Sequence, residues 1–369
     1  MRVIVDAVPL LVQSAGVKNY LYYWTRYLRQ EARGIEIGLF PFLGDPCVLD
    51  HQGSIVNPLT THARLGLLFL LNRFSNDIAG WADPEIDVFH TCKLLNPPRR
   101  AKLTATVHDL TCWILPETHS PANVAAEKKF AERILKHADG LIAVSEATRD
   151  DAVRILKVPP EKIRVIHHGV AEPFFNVGKE DAEAARQRYG LHRPYVLFVG
   201  TIEPRKNVDL LLDAYQGLPE ATRQEFELVV SGPLGWARDS TLARLRQTPP
   251  GVRYLGYVDE ADMPGLFAGA TLFVYPSLYE GFGFPVAQAM AAGAAVITSG
   301  ISALPEVAGG AARLIDPRSP TELRKAMQDV LTSPAERCRL IEAGRINARR
   351  FSWPECARRS LRFFEDVAG

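Results

Sequence analysis

Two adjacent cations, Arg205 and Lys206, lie in the segment Gly200–Asn207, between a predicted strand and a predicted helix. The strand Tyr195–Gly200 ends in glycine, and the helix is predicted to begin near Asn207. Because the first N–H groups of a helix lack partners and carry partial positive charge, a helix start favours an anion. Two cations in a first helical turn oppose the helix dipole, and a bound phosphate would remove that conflict. The segment predicts a phosphate site; the alternative is a solvated basic pair.

A carboxylate stands in a glycine-containing loop later in the chain. The segment Tyr275–Val286 runs from a predicted strand through Glu280, Gly281 and Gly283 into a helix. Open α/β sheets bind ligands at the carboxyl ends of their strands, and glycine allows close backbone approach, so this loop predicts a ligand contact. Gln288 follows Glu280 by eight positions (288 − 280), so the loop and one helical turn could direct both side chains to one cleft. The alternative is a tight connection with an acid near a helix start.

Histidines follow two strands in the first half of the chain. His108 comes after the predicted strand Thr104–Val107, where an imidazole could carry a proton or donate a hydrogen bond; the alternative is a structural histidine. His167 and His168 end another strand, and adjacent strand residues point to opposite faces, so we do not expect them to chelate a metal. The sequence contains no Asp-x-Asp, and we predict no metal site.

The elements that position these residues follow an alternating pattern of short apolar runs and amphipathic helical stretches. The predicted strands are Val3–Asp6, Ile35–Phe42, Val88–His90, Thr104–His108, Gly140–Ser145, Ile163–His167, Tyr195–Gly200, Phe226–Ser231, Val252–Leu255, Thr271–Tyr275, Ala295–Thr298 and Ala312–Ile315. Near-continuous hydrophobic strands are typical of parallel sheets covered by helices on both faces. The pattern predicts an α/β fold with two doubly wound sheets, divided near residue 180 in the polar segment Glu172–Arg193.

Composition and charge exclude other classes of protein. The 369 residues carry 43 Lys and Arg and 42 Asp and Glu, a net charge of +1, whereas a general nucleic-acid binder presents a basic face or tail. The longest apolar stretch, Leu65–Leu71, is far shorter than the ~20 residues of a membrane-spanning helix. The first residues lack the apolar core of a signal peptide. Five scattered cysteines predict reduced thiols and a cytoplasmic protein.

Six segments together resemble glycosyltransferase family 4, of the GT-B type, along essentially the whole chain. They are Val107–Leu110, Ala143–Glu146, Ile166–Val170, Gly200–Asn207, Glu280–Gly293 and Leu304–Gly309. The resemblance implies two Rossmann-like domains that face each other across a cleft, with a last helix that crosses back to the first domain. We therefore expect an acceptor-side domain of residues 1–178 plus 353–369 and a nucleotide-sugar-binding domain of residues 179–352. It also implies transfer with retention at the anomeric carbon, with no metal or other cofactor.

The resemblance also implies roles for the residues singled out above. Arg205 and Lys206 would neutralise the donor diphosphate, with Gly16 near the phosphate. Glu280 would contact the donor sugar, and His108 would approach that sugar from the other domain. The loop that orients the sugar comprises Gly281, Phe282, Gly283 and Phe284.

Two further positions concern the nucleoside. Val258 resembles the position beside the nucleobase. Gln288 stands where the family usually has a glutamate that holds the ribose hydroxyls. An amide keeps an acceptor oxygen and loses the charge.

The sequence suggests a sugar donor and an acceptor class, and it leaves alternative functions open. Gly200–Asn207 and Tyr279–Val286 are most like bacterial mannosyl- and rhamnosyltransferases of surface-polysaccharide assembly, so GDP-mannose is the first choice of donor, with a glycan or lipid-linked acceptor. Two alternatives are a non-catalytic nucleotide-sugar-binding or scaffold protein, suggested by Gln288, and a GT-B sugar-nucleotide epimerase. The apolar segment His62–Phe74 suggests peripheral contact with the inner face of a membrane. A buried helix is favoured there, because the segment lacks a distinct polar face.

Overall fold

The computed structural model describes residues 1–11, 16–41, 61, 66, 85–92, 94–236 and 239–369. The chain divides into two compact units, Met1–Gly169 with Ser352–Gly369, and Val170–Phe351. In the described parts of the chain, no helix is long and apolar enough to cross a membrane. The apolar run Leu65–Leu71, apart from Gly66, lies outside the described residues, so the hypothesis of membrane contact stays untested.

The boundary between the units lies nine residues before the position expected from sequence (178 − 169). The Val170 N–H donates to the carbonyl of Phe351 at 3.1 Å, within the second unit. The following helix, Glu172–Asn176, packs against the helix Phe284–Ala292 of that unit. Residues 170–178 therefore contribute to the core of the second unit rather than to the first.

The described residues of the first unit form a six-stranded parallel sheet in the order β2-β1-β3-β4-β5-β6. Val3 pairs with both Ile37 and Val88, and the central strands are buried on both faces, as expected for strands covered by helices. The strands are β1 Arg2–Asp6, β2 Glu36–Phe40, β3 Val88–Thr91, β4 Lys102–Val107, β5 Gly140–Ala143 and β6 Ile163–Val165. The helices are Gly16–Glu31, Thr111–Ile114, Pro121–Phe130, Glu146–Asp151 and Trp353–Ala368.

The last helix belongs to the first unit, as the resemblance implies. Trp353–Ala368 packs along Gly16–Glu31 through a buried apolar face. At this contact the Trp24 indole N–H donates to the Ser360 hydroxyl at 2.9 Å, so the one polar atom of a large buried ring is satisfied.

The described residues of the second unit form another six-stranded parallel sheet, in the order β12-β11-β10-β7-β8-β9. Its strands are β7 Tyr195–Val199, β8 Glu227–Ser231, β9 Val252–Gly256, β10 Leu272–Tyr275, β11 Val296–Ser299 and β12 Arg313–Ile315. Its helices are Glu172–Asn176, Lys179–Arg188, Val208–Gln216, Glu220–Glu225, Asp239–Gln247, Met263–Ala268, Phe284–Ala292, Leu304–Ala308, Pro320–Thr332 and Pro334–Ala348. The fold class predicted from the sequence is confirmed.

Local differences concern helix form and strand ends. The helix Glu146–Asp151 continues as a π-helical turn over Ala152–Leu156, a change of form that hydrophobic spacing does not predict. β6 ends at Val165, so His167 and His168 lie beyond the strand and the argument from strand alternation does not apply to them. Hydrophobic spacing sets the buried face of a helix but not which carbonyl each N–H selects.

Candidate active site

β7 and β10 are neighbours in the second sheet. After β7 the next strand, β8, lies on one side of this pair, and after β10 the next strand, β11, lies on the other side. Val196 pairs with Leu272 and Leu197 with Phe273, so the carboxyl ends of the two strands meet at one edge. Ligands of open α/β sheets bind where the strand order reverses in this way. Both loops that the sequence analysis singled out in this half of the chain begin at that point.

The loop after β7 carries the two cations in a turn of their own. Pro204–Lys206 forms one 3₁₀ turn, Asn207 adopts the left-handed conformation (φ 60°), and the helix Val208–Gln216 begins only after it. The Asn207 amide holds this geometry by donating to two backbone carbonyls, those of Pro276 and Pro317. The expectation that both cations lie in the first turn of the helix was wrong. Their conflict with the helix dipole therefore gives no support for a phosphate site.

The loop after β10 is tied to the loop after β7 through its backbone. The Leu278 N–H donates to the carbonyl of Arg205 at 2.8 Å, and the Glu280 N–H donates to the Ser302 hydroxyl at 3.1 Å. Glu280 lies five residues beyond the end of β10 (280 − 275), and only 7% of it is exposed. The loop thus holds this carboxylate in a buried position near the carboxyl ends of β7 and β10.

Four charged side chains form a buried cluster at this edge. Glu280 Oε1 accepts from Lys206 Nζ at 2.6 Å, and Glu280 Oε2 lies 2.8 Å from Arg205 Nη1. On the other side of the guanidinium, Arg205 Nη2 donates to Glu203 Oε1 at 2.6 Å. All four side chains are 12% exposed or less. With two cations and two anions, the cluster has a net charge of zero.

Two hydroxyl groups complete the surroundings of the Glu280 carboxylate. The Tyr275 hydroxyl donates to Oε1 at 2.9 Å and accepts from Lys206 Nζ at 2.6 Å. The Ser277 hydroxyl lies 2.7 Å from the same oxygen. Burial and the charge of Glu280 raise the pKa of Tyr275, so its phenol keeps the proton it donates. Glu280 is therefore held by ion pairs and hydrogen bonds on both of its oxygens.

The electrostatics of the cluster fix the charge of Glu280. Burial alone would raise the pKa of its carboxyl, but the charges of Arg205 and Lys206, with hydrogen bonds from Lys206 and Ser277, lower that pKa to about 2. Burial and the charge of Arg205 lower the pKa of Lys206, and the neighbouring carboxylates offset part of that effect. Because Glu280 is ionised at neutral pH, it acts as a fixed charge rather than as a proton donor.

A helix starts beside this cluster. Gly283 has φ +101°, and a Cβ atom there would lie 2.7 Å from Leu304 Cδ2, so the turn into the helix Phe284–Ala292 requires glycine. Gly281 and Phe282 before it are buried, and the Phe282 ring packs against another ring of the same unit at 5.3 Å. The first N–H groups of this nine-residue helix carry partial positive charge at the same edge as the cations.

Comparisons with known proteins identify the family. Residues 14–172 match the family described as Glycosyltransferase Family 4, and residues 181–347 match the one described as Glycosyl transferases group 1. The O-antigen chain mannosyltransferase B of Escherichia coli is 33% identical over 282 residues, which cover 75% of this chain and 74% of that protein. The chain belongs to glycosyltransferase family 4.

Other relatives of this glycosyltransferase differ in length or only share its fold. The serotype-specific mannosyltransferase WbdA of Escherichia coli is 28% identical over 64% of this chain, but the match spans only 29% of WbdA. A sucrose-phosphate synthase from Thermosynechococcus elongatus superposes with a TM-score of 0.77 at 22% identity, over 99% of this chain and 98% of that one. HepE of Anabaena, in complex with UDP and glucose, gives 0.74 at 19%, over 99% of each chain. These structures show the GT-B fold.

Two of the predicted site residues, His108 and Gly16, lie in the first unit. His108 directly follows β4 and is half-buried, with the ring of Tyr20 edge-on at 5.0 Å and that of His168 at 6.0 Å. Burial, followed by the charges of His108 and His167, lowers the pKa of His168 well below its ordinary value. Gly16 is the exposed first residue of its helix, and no atom of the described residues lies within 4 Å of a Cβ placed there. The roles proposed for His108 and Gly16 stay predictions.

The residues predicted for the nucleoside lie in the second unit. Gln288 is half-buried and lies one helical turn after Phe284, which is half-buried too. Val258 is buried, at 2% exposure, just beyond the end of β9. The structure thus brings together Arg205, Lys206 and Glu280 by direct contact, and places Gln288 and Val258 elsewhere in the same unit, where their roles stay predictions.

The roles of three side chains at this site were missed by the sequence analysis. Glu203, Tyr275 and Ser277 contact the cations or the carboxylate directly. A signal existed for Glu203, since an acid two residues before Arg205 in a turn can pair with it. The contacts of Tyr275 depend on its place at the end of a central strand, which only the strand order reveals.

Proposed function

We propose that this glycosyltransferase transfers mannose from GDP-mannose to a glycan or lipid-linked acceptor, with retention at the anomeric carbon and without a metal ion. The observation that carries the proposal is the buried pair Arg205 and Lys206 at the point where the strand order reverses, beside the start of the helix Phe284–Ala292. The choice of mannose is supported by the two Escherichia coli relatives, which are both mannosyltransferases.

The chemistry of the reaction explains why cations are needed here. When the bond between sugar and phosphate breaks, negative charge grows on the diphosphate while the sugar gains cationic character. Fixed cations and helix N–H groups in a site shielded from water stabilise that charge as it develops. Arg205 and Lys206 would thereby supply the positive charge that a metal supplies in other transferases.

Lys206 retains capacity for a ligand within the cluster. An ammonium group has three N–H donors. In the described residues two of them are used, by Glu280 Oε1 and the Tyr275 hydroxyl. The side chain is 12% exposed, so the third donor can reach a phosphate oxygen without breaking the existing pair. On this basis we assign Lys206 to the donor diphosphate, and Arg205 with it because the two cations lie in one cluster.

The remaining roles are part of the same proposal. Glu280 contacts the donor sugar and pairs with both cations, and the loop from Gly281 through Phe284 orients the sugar by its backbone. Gln288 and Val258 contact the ribose and the base. From the first unit, His108 would contact the transferred sugar and Gly16 would lie near the phosphate.

The test combines a donor screen with product analysis. Thermal shifts with GDP, UDP, ADP and dTDP and their sugars identify the nucleotide, because a ligand that binds only the folded state raises the melting temperature. We expect the largest shift with GDP and GDP-mannose, and an α-linked product by proton NMR, since GDP-mannose is an α-anomer. A larger shift with UDP would contradict the donor, and a β-linked product would contradict retention.

A further inference from the structure

Glu203 is a buried carboxylate whose partner is one of the two diphosphate-binding cations. It is 6% exposed, and its Oε1 accepts from Arg205 Nη2 at 2.6 Å. The residue before it, Ile202, is fully buried and is fixed by backbone hydrogen bonds to Pro233 and Gly235. The carboxylate thus stands on a rigid segment, and it holds the side of the guanidinium that does not face Glu280.

Arg205 has other anchors besides Glu203. Its Nη1 donates to the carbonyl of Tyr279 at 2.7 Å and lies 2.8 Å from Glu280 Oε2. The guanidinium would therefore keep its position through these two contacts if Glu203 lost only its charge. What Glu203 adds is one negative charge, without which the cluster would have a net charge of +1 instead of zero.

That charge matters for the release of product. A nucleoside diphosphate carries at least two negative charges, and charges interact more strongly in a buried site than in water. A site with net positive charge would bind the product more tightly and release it more slowly. Product release limits the turnover of many enzymes.

We propose that Glu203, as the counter-ion of Arg205, weakens the binding of nucleoside diphosphate enough for product to leave. The inference rests on the proposed function of Arg205 and Lys206. It assigns to Glu203 an effect opposite to that of the cations, since loss of its charge tightens binding whereas loss of a cation weakens it.

Glu203→Gln tests this most directly, because a glutamine keeps an oxygen that can accept from Arg205 and removes the charge. The dissociation constants of GDP, UDP and inorganic pyrophosphate are measured by calorimetry. We expect about tenfold tighter binding of the nucleotide that binds wild type, and similar tightening for pyrophosphate. We also expect a lower kcat preceded by a burst of product in the first turnover. Glu203→Asp retains the charge and should bind within about twofold of wild type.

Glu227→Gln is a matched control. Glu227 is also buried and paired with an arginine, Arg193, at 3.7 Å, but it lies at the start of β8, at the opposite edge of the same sheet. Its loss of charge should leave nucleotide affinity unchanged. If Glu203→Gln does not fold, as judged by its melting transition, Glu203→Ala provides the same change of charge and is expected to tighten binding too.

The outcomes separate the inference from the proposed function. Unchanged or weaker nucleotide binding in Glu203→Gln, with weaker binding in Lys206→Met, would overturn the role of Glu203 alone. Unchanged binding in Lys206→Met would overturn the diphosphate site, and so would failure of wild type to bind either GDP or UDP. Equal tightening in Glu203→Gln and Glu227→Gln would show a general effect of net charge and would also overturn the inference.

Discussion

Replacing Lys206 with methionine tests the buried cluster, because the change removes one charge and keeps most of the volume. The variant loses the 2.6 Å ion pair with Glu280 Oε1 and the contact with the Tyr275 hydroxyl. Glu280 then keeps a single cation, Arg205, at 2.8 Å. Removing one partner of a buried pair costs about 3–5 kcal/mol. We expect a fall of that order in the free energy of unfolding, measured by denaturant titration followed by circular dichroism.

The same variant should lose activity to an extent that the contacts predict. A charge-assisted hydrogen bond to a phosphate contributes about 1.5–3 kcal/mol. Because about 1.4 kcal/mol corresponds to a factor of ten, kcat/KM for transfer should fall roughly 10- to 150-fold. Lys325→Met is the matched control, since Lys325 is exposed on the helix Pro320–Thr332 and its change should leave both quantities near wild type.

A double variant separates stability from catalysis. Lys206→Met/Glu280→Gln removes both charges of the pair, so no buried carboxylate is left short of cations. The free energy of unfolding should therefore recover much of what the single variant Lys206→Met loses. Transfer should stay low, because the diphosphate still lacks a cation and the donor sugar has also lost the Glu280 carboxylate. Near wild-type transfer in the double variant would refute the reasoning, since Lys206 would then serve only to neutralise Glu280.

Three further predictions concern other parts of the protein. Burial, with the charge of His108, lowers the pKa of His90 to about 3, so between pH 6.5 and 3 the unfolded chain binds one more proton than the folded chain. The free energy of unfolding should therefore fall on acidification, by up to about 1.4 kcal/mol per pH unit. His90→Gln should flatten the dependence of Tm on pH. An unchanged slope in His90→Gln would contradict this. Gly283→Ala should lower the free energy of unfolding by about 1–3 kcal/mol, because Gly283 has a positive φ and an added Cβ would contact Leu304. The loss should be smaller in Gly310→Ala, where φ is also positive but no described atom lies within 4 Å of the added Cβ. Equal losses in chemical denaturation would argue against this explanation. Gln288→Glu should lower the donor KM about fivefold, which corresponds to about 1 kcal/mol, or leave it unchanged, with kcat unaffected. Abolished turnover at unchanged donor affinity would place Gln288 in the catalytic machinery.

The strands and most of the helices could be predicted because their signal is local. Buried parallel strands are near-continuous apolar runs, and all the predicted strands are found with ends shifted by at most a few residues. The left-handed Asn207 also had a local signal, because asparagine tolerates this conformation better than most residues. The helix start was predicted to within one residue, but Arg205 and Lys206 precede it and were wrongly assigned to its first turn.

The contacts within the site could not be predicted, because they depend on which strands become neighbours. Arg205 and Glu280 are 75 positions apart in sequence (280 − 205), and they meet only because β7 pairs with β10. From sequence, Glu203 was a polar loop residue and Tyr275 the last apolar residue of a strand. Their burial against the cations follows from the strand order, which depends on packing between distant segments.

The measurement that tests the central claim most directly is the rate of sugar transfer from GDP-mannose in excess EDTA. If Arg205 and Lys206 supply the positive charge that stabilises the departing diphosphate, the rate should equal that in buffer containing Mg²⁺ or Mn²⁺, and Lys206→Met should be slow in both. Complete loss of transfer on chelation, restored by either metal, would contradict the account.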